Sequence, residues 1–538
     1  MVRTEFDLLP EFTAELEEIR KNGISTELLY KIIQKHMNNA MYNRRLYSRY
    51  KAVYGGVPIF DRQPRFEEEE NPINNKISND FFGEIVDFKV GYFAGEPASY
   101  YYSKTDEAEE DLGGEKAVEV ATKALTDFLT RNNMYGVDME ITKNASIYGY
   151  SGRLFYIDRE GSERVMAVHG YETIILSDTD ISEPECAIRY YKSKDINGSD
   201  YWTVEFYDDK NITTYRGELF SLEEVEVRPH LFDYCPLQGI ANNKEYMGDA
   251  EKVLGLIDDY DKVISDNSNE IEAFVHAYLI FEGLRIDDET IEKGQKSGSF
   301  VFPAAGTQQG RAYWLTKNIN DAFTEHHLQR IEDNIYRFSR TPNLTDETFG
   351  AASGISLKFK LHGLETKCAT FEANVMNSAP HMWKVLCSSW KKKGINADPL
   401  QFVIDFHRNF PQDKLSEAQT AQAQIAAGLP KQWVYSQMAN IDDVDYIMGL
   451  IEKEKADVTD LYEDDETLED VGINDKNMYK VTSTLGQLKR GQITRSVAVR
   501  ILTGLGFTED NAETLVDENV DEEEKKDKEA VKAENIII

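Results

Sequence analysis

The sequence predicts an α+β protein in which long helices with narrow apolar seams are interrupted by a run of short strands. Three observations carry that class. Apolar residues recur at three- and four-residue steps through three long central segments, while β-branched and aromatic residues cluster between Gly, Asn and Asp over residues 142–217. Charged residues make up 29% of the 538 positions, and no uninterrupted apolar stretch approaches the ~18 residues of a membrane span. A soluble, globular chain is expected. The opening MVRTEFDLLPEF has acids where a secretory leader has its apolar core, so synthesis in the cytosol is expected too.

The first predicted helix covers residues 25–54, with Ser25 or Thr26 as cap, Leu28, Leu29, Ile32, Ile33, Met37, Ala40 and Met41 as its seam, and Gly55-Gly56 as terminator. Its second half, with Arg44, Arg45, Tyr47, Arg49, Tyr50 and Lys51, suits either nucleic acid or, more commonly, a packed contact of Arg stems beside Tyr. A second, largely buried helix is expected in NNKISNDFFGEIVDFKVGYFAGEP, on the spacing of Ile77, Phe81, Ile85, Phe88 and Tyr92. Residues 142–217 then read as an antiparallel meander. Three helices follow at 243–274, 320–340 and 353–391. The first spans about 45 Å and the third over 50 Å if unbroken, with Pro380 expected to kink or split the latter. Such seams suit long helices packed at a shallow angle, in one chain or between copies.

Between the first two of these helices lies a small β-rich insertion with strands AYLIFEG, GSFVFP and RAYWLT. Between the second and third lies the polar loop TPNLTDETFGAASG. A strand in QFVIDFHRNFP precedes a helical region at 415–457 and the acidic linker LYEDDETLED. A compact helical unit within 478–507 is expected to present Ile493, Val497, Val499, Ile501 and Leu502 as one apolar face. From Thr508 to Asn535, twelve acids against four lysines predict exposed or disordered chain.

The net charge of −36, from 96 acids against 60 bases, repels polyphosphate and excludes ordinary binding of nucleic acid by a broad basic surface. The four cysteines lack C-x-x-C spacing and read as buried small hydrophobes, without a disulfide or metal role. The dipeptide Gly-Lys never occurs, so no phosphate loop of the G-x-x-x-x-G-K-[ST] type exists, and no G-x-G-x-x-G opens a helix after a strand. His326-His327 lacks the H-E-x-x-H spacing, and adjacent helical residues project about 100° apart, so surface or interhelix histidines are expected. Ser353, in Gly-Ala-Ala-Ser-Gly, reads as a helix cap and not as a nucleophile. No catalytic residue, metal site or cofactor is predicted.

The segments NNKISNDFFGEIVDFKVGYFAGEP, ECAIRYY with WTVEFYD, NNKEYMGDAEKVLGLIDDYDKVISDNSNEIEAF, TPNLTDETFGAASGISLKFKLHGLETKCATFE and FHRNFPQD, in this order, resemble the portal proteins of tailed phages, particularly those of long-tailed phages of Gram-positive hosts. The resemblance covers most of residues 34–457. It departs from the pattern at His169-Gly170, where a proline is expected, and in the long acidic tail.

The resemblance implies a virion protein: a closed ring of about twelve subunits at one capsid vertex, through which double-stranded DNA is packaged and ejected. It implies no enzyme and no membrane association, and as partners the terminase large subunit, major capsid and scaffolding proteins, and head-completion or adaptor proteins. A terminase-like DNA-processing enzyme is the alternative, which the missing phosphate loop opposes. By segment, residues 1–242 are similar to the wing, 243–274 and 320–340 to stem helices, 275–319 to the clip that faces the motor, and 341–352 to the tunnel loop. Residues 353–456 match the long helix and wing return, 457–507 the crown and 508–538 an acidic tail.

The candidate tunnel-loop residues are Thr341, Asn343, Thr345, Asp346, Glu347, Gly350, Ala351, Ala352 and Ser353; those of the clip are Arg285, Lys293, Lys296 and Arg311. In residues 244–273 nine acids stand against three lysines, and Asp258, Asp259, Asp261, Asp266 and Glu270 are the candidates for repelling phosphate in a channel. A solvated helix face is the plain alternative for any one of them.

Overall fold

The computed structural model describes residues 3–64, 73–103, 115–275, 279–282, 289, 292–293, 311–314, 321–344, 354–409, 414–436, 438, 444, 447–451, 478–490 and 492–517. They fall into two compact units, residues 1–411 and 412–538.

In the first unit, α1 (Thr13–Asn22) leads into α2 (Thr26–Tyr50), whose N-terminus is capped by Ser25 Oγ accepting from the Leu28 N–H at 3.2 Å. The helix stops at Tyr50, short of the expected end, and the chain turns through Ala52 at φ 50°. Gly56 belongs to that return turn: a Cβ there would lie 2.4 Å from Arg49 N, so only glycine lets the turn fold back onto the helix. α3 (Phe81–Phe93) starts at Asp80, whose carboxylate accepts from Gly83 N–H; Ile77, expected within it, precedes it.

α4 (Glu115–Asn132) and α5 (Met134–Tyr148) were not foreseen, and α5 takes residues 142–148, which the sequence assigned to strands. The β-branched and aromatic composition there reflects burial on a helix, since Ile147 and Tyr148 are fully buried. Gly149 ends α5 in a left-handed conformation (φ 100°), and a strand begins at the next residue. The expected single meander is two antiparallel sheets. One has three strands in the order β3 (Glu163–His169), β2 (Tyr150–Ile157), β9 (Leu237–Ala241). The other has five in sequence order, β4 (Thr173–Leu176) through β5 (Cys186–Lys194), β6 (Asp200–Tyr207) and β7 (Asn211–Glu218) to β8 (Ser221–Pro229).

α6 (Leu254–Val275) begins later than expected, after a 3-10 turn at Glu251–Val253, so it spans about 33 Å. It packs against α7 (Asp321–Ser339). α8 (Gly354–Lys392) runs through Pro380 without being split. Its seam of Leu361, Leu364, Cys368, Phe371 and Val375 is buried against Phe93, Ile141 and Ile240, which holds the helix in place although Pro380 removes one backbone bond. β12 (Phe402–Asp405) pairs with β1 (Ser99–Tyr102), a strand the sequence did not announce, and so joins two ends of the unit.

The second unit contains α9 (Lys414–Ala426), α10 (Lys431–Ser436), α11 (Met478–Lys489) and α12 (Arg495–Gly504), with a further helical stretch at 509–517. Its core joins Val481, Ala498, Leu502, Phe507, Ala512 and Val516. Two expectations change here. Val497 and Ile501 lie on the exposed side of α12, and residues 509–517, expected to be loose acidic tail, supply two core residues. Ala512 and Val516 stand four apart, enough for a helix turn to bury them among the surrounding acids.

Candidate functional site

The hairpin of α6 and α7 is apolar at its root and open towards its tip. Ile257, Leu328, Ile331 and Ile335 are buried, whereas Ile271 near the end of α6 and Phe323 near the start of α7 are 64% and 70% exposed. At the root Phe81 of α3 sits edge-on to both Tyr260 and Tyr336, with ring centroids 5.0 Å and 5.9 Å away, and Tyr336 donates to Glu84. Beyond the tip, β10 (Leu279–Glu282) pairs antiparallel with β11 (Arg311–Trp314), so the insertion closes on itself. Of the expected clip strands, GSFVFP lies outside the described residues, as do Arg285 and Lys296. Arg311 stands opposite Glu282 in the strand register, and Lys293 is exposed and paired with Glu289 at 2.7 Å.

The acids of α6 do not share one environment. Asp261 is buried and accepts from the Asn79 backbone N–H at 2.8 Å and from its side-chain amide at 2.9 Å; burial pushes its pKa above the usual carboxylate range. Asp266 pairs with Arg62 and Asp258 with the buried Arg49, while Asn75 donates from its backbone to Asn269 and from its side chain to Glu272. The described residues 58–64 and 73–80 therefore run along α6 as a strap held by its polar side chains. Asp259 is half-exposed, 3.6 Å from His327 of α7. Glu270 is partly exposed.

The start of α6 and the end of α7 meet in a buried charge cluster. Asp249 lies between Lys89 of α3, at 3.0 Å, and Lys367 of α8, at 3.1 Å. Lys89 also donates to Asn242 and lies 4.7 Å from the Phe371 ring centre; Lys367 also donates to the Ser339 carbonyl, the last of α7, at 2.9 Å. Burial alone would raise the Asp249 pKa, but the two ammonium groups outweigh it and hold it down to about 2.

Past Ser339 the chain leaves α7 through Arg340 at φ 57°, and Thr341 N–H closes the turn on the Tyr336 carbonyl at 3.1 Å. Thr341 is buried and Asn343 donates to Glu332. Thr345, Asp346, Glu347, Gly350, Ala351, Ala352 and Ser353 lie outside the described residues. Sequence reading missed Arg62, Asn79, Lys89, Asp249 and Lys367. A usable signal existed for one of them, the lone lysine inside the apolar run FFGEIVDFKVGYF.

The basic and aromatic half of α2 is an intrachain contact. Arg49 pairs with Asp258, Arg44 lies over the Tyr171 ring, Tyr47 packs on His169 and Tyr50 donates to Asp87. The four cysteines are buried, and burial raises each thiol pKa, to about 12 for Cys235, Cys368 and Cys387. Among the described residues no group of three or more His, Cys, Asp or Glu could hold a metal ion, and no helix is long and apolar enough to cross a membrane.

A family profile described as phage portal protein, SPP1 Gp6-like, matches residues 29–460, most of the chain and all of the hairpin, the loop after it and α8. The chain belongs to this family. A portal protein of Clostridium phage phiCD119 is 24% identical over 438 residues, covering 76% of this chain and 90% of that protein. A portal protein of Bacillus phage SPP1 is 25% identical over 309 residues, 54% of this chain and 58% of that protein. As a phage portal protein the chain is a structural component of the virion and not an enzyme, which removes the terminase-like alternative.

Proposed function

We propose that this portal chain assembles head-to-tail into a closed ring of about twelve copies at one capsid vertex, whose central channel passes double-stranded DNA during packaging and ejection. The observation that carries this reading is the family match across the hairpin, the 341–352 loop and α8. Two features support it. Ile271 and Phe323 leave two large apolar side chains exposed near the hairpin tip of a single chain, where a neighbouring copy would cover them. Among the described residues of the insertion between α6 and α7, β10 and β11 pair with each other, as the strands of a separate docking module at the tip would.

In this reading α6 and α7 form the stem, and residues 275–319 form the clip that docks the terminase motor and later the adaptor proteins. The ring nucleates capsid assembly with the major capsid and scaffolding proteins, α11 and α12 belong to the crown, and residues 341–352 project into the channel. Because Arg49 engages Asp258 and the strap engages Asp261 and Asp266, the stem acid proposed to face the channel is Asp259, half-exposed beside His327. Negative groups there lower adhesion to phosphate. The deciding experiment is electron microscopy of the purified protein: rings with a central hole are expected, and a uniform monomer at micromolar concentration sinks the reading.

A further inference from the structure

We infer that Lys367 is a positioning residue that latches the two roots of the stem hairpin together on the long helix α8. One ammonium group reaches both ends of the hairpin. Towards the start of α6 it meets Asp249 at 3.1 Å, and Asp249 is tied to the wing through its own N–H on the Ser146 carbonyl at 2.8 Å. At the end of α7 it donates to the Ser339 carbonyl at 2.9 Å, one residue before the left-handed turn at Arg340. The side chain is 13% exposed, so both contacts are made with little water in competition.

The cluster is not a neutral core pair. Two ammonium groups share one carboxylate, leaving a net positive charge inside the unit. The second ammonium is compensated in part by the α7 carbonyl, which sits at the negative end of that helix. The α7 exit also rests against α8 one turn earlier, where a Cβ on Gly363 would be in ordinary contact with the Arg340 Cβ at 3.4 Å. A displacement of the 341–352 loop pulls on Ser339, and through Lys367 it pulls on Asp249 and the start of α6. The two roots of the hairpin are therefore held together on α8 and respond together.

Amide hydrogen exchange on the full-length assembled protein tests the latch. Replacing Lys367→Met is expected to speed exchange roughly 10- to 100-fold at Thr341 and also at Asp249 and Val253, with Tyr190 and Val204 in the five-stranded sheet unchanged. Lys367→Arg should restore most of the protection. Asp249→Asn, which keeps the volume, is expected to loosen Thr341 as well, because Lys367 loses its counter-charge. Lys89→Met removes the other ammonium, whose contacts among the described residues are with Asn242, Asp249 and Phe371 and not with the α7 exit, and should leave Thr341 at its original rate. The latch is overturned if Thr341 ignores Asp249→Asn, or if Lys89→Met loosens it as much as Lys367→Met does. If Lys367→Met does not fold, the other two variants decide. These measurements stand apart from the conduit reading; only the expectation that latch variants assemble yet package DNA poorly rests on it.

Discussion

Replacing Asp261 separates a structural acid from a channel acid. Its single Oδ1 accepts both the backbone and side-chain N–H of Asn79, in a site where Asp261 is 1% exposed. Asp261→Ala removes both bonds and leaves a backbone donor of the strap without a partner. Two hydrogen bonds to a charged group at about 1.5–3 kcal/mol each, less the relief of not burying a carboxylate, give a net loss of about 3 kcal/mol. Asp261→Asn can present its amide oxygen at the same place and should cost under about 1 kcal/mol. Urea unfolding at fixed protein concentration measures the difference, and exchange at the Asn79 amide localises it. If the two variants are equally stable and Asn79 exchange is unchanged, the strap is not held by this acid. If DNA transit responds equally to both while stability does not, Asp261 acts by its charge on the duplex.

Five further outcomes follow from the same reasoning. Asp249 is held at about 2 against an unfolded value of 3.8, so its ion pairs are fully present above about pH 4 and are lost as pH falls towards 2, a decline of about 2 kcal/mol that Asp249→Asn should abolish in an acid titration of stability. Burial, helped by Arg44, depresses His36 to about 3 between the Tyr190 and Tyr150 hydroxyls; the unfolded chain takes up the proton first, so stability falls from pH 6.5 downwards and His36→Gln should flatten that limb. Gly149→Ala, whose Cβ would meet the Tyr246 carbonyl at 2.0 Å, should cost over about 3 kcal/mol or prevent soluble expression, whereas Gly161→Ala, with φ 79° but open space, should cost about 1 kcal/mol. Charge reversal at Lys293 with loss of Arg311 should spare ring assembly and reduce packaging, and failed assembly with motor binding intact would count against the clip assignment. Thr345→Cys with Ser353→Cys, once oxidised, should give rings that assemble but stall in packaging until reduced; normal packaging by cross-linked rings would refute a mobile loop.

The sequence by itself determined the helices whose seams repeat over many turns, the β-rich nature of the stretch before α6, the burial of the cysteines and, through its ordered segments, the family. Those properties are local. A repeat of three and four residues fixes a helix wherever it packs, and the capping oxygen of Ser25 acts within one turn. Tertiary structure alone decided where residues 142–148 went, because Ile147 and Tyr148 satisfy a strand and a buried helix face equally well and only packing against α2, α3 and the first sheet chooses. It also decided the pairing of β1 with β12, residues about 300 apart, for which neither strand carries a signal. The acids of α6 show the limit most clearly. Asp258, Asp259 and Asp261 are near neighbours in one acidic stretch, yet one meets a buried arginine, one stands beside a half-exposed histidine and one pins the strap. Charge can be counted along a chain, but what it faces depends on partners that sequence places up to some 200 residues away.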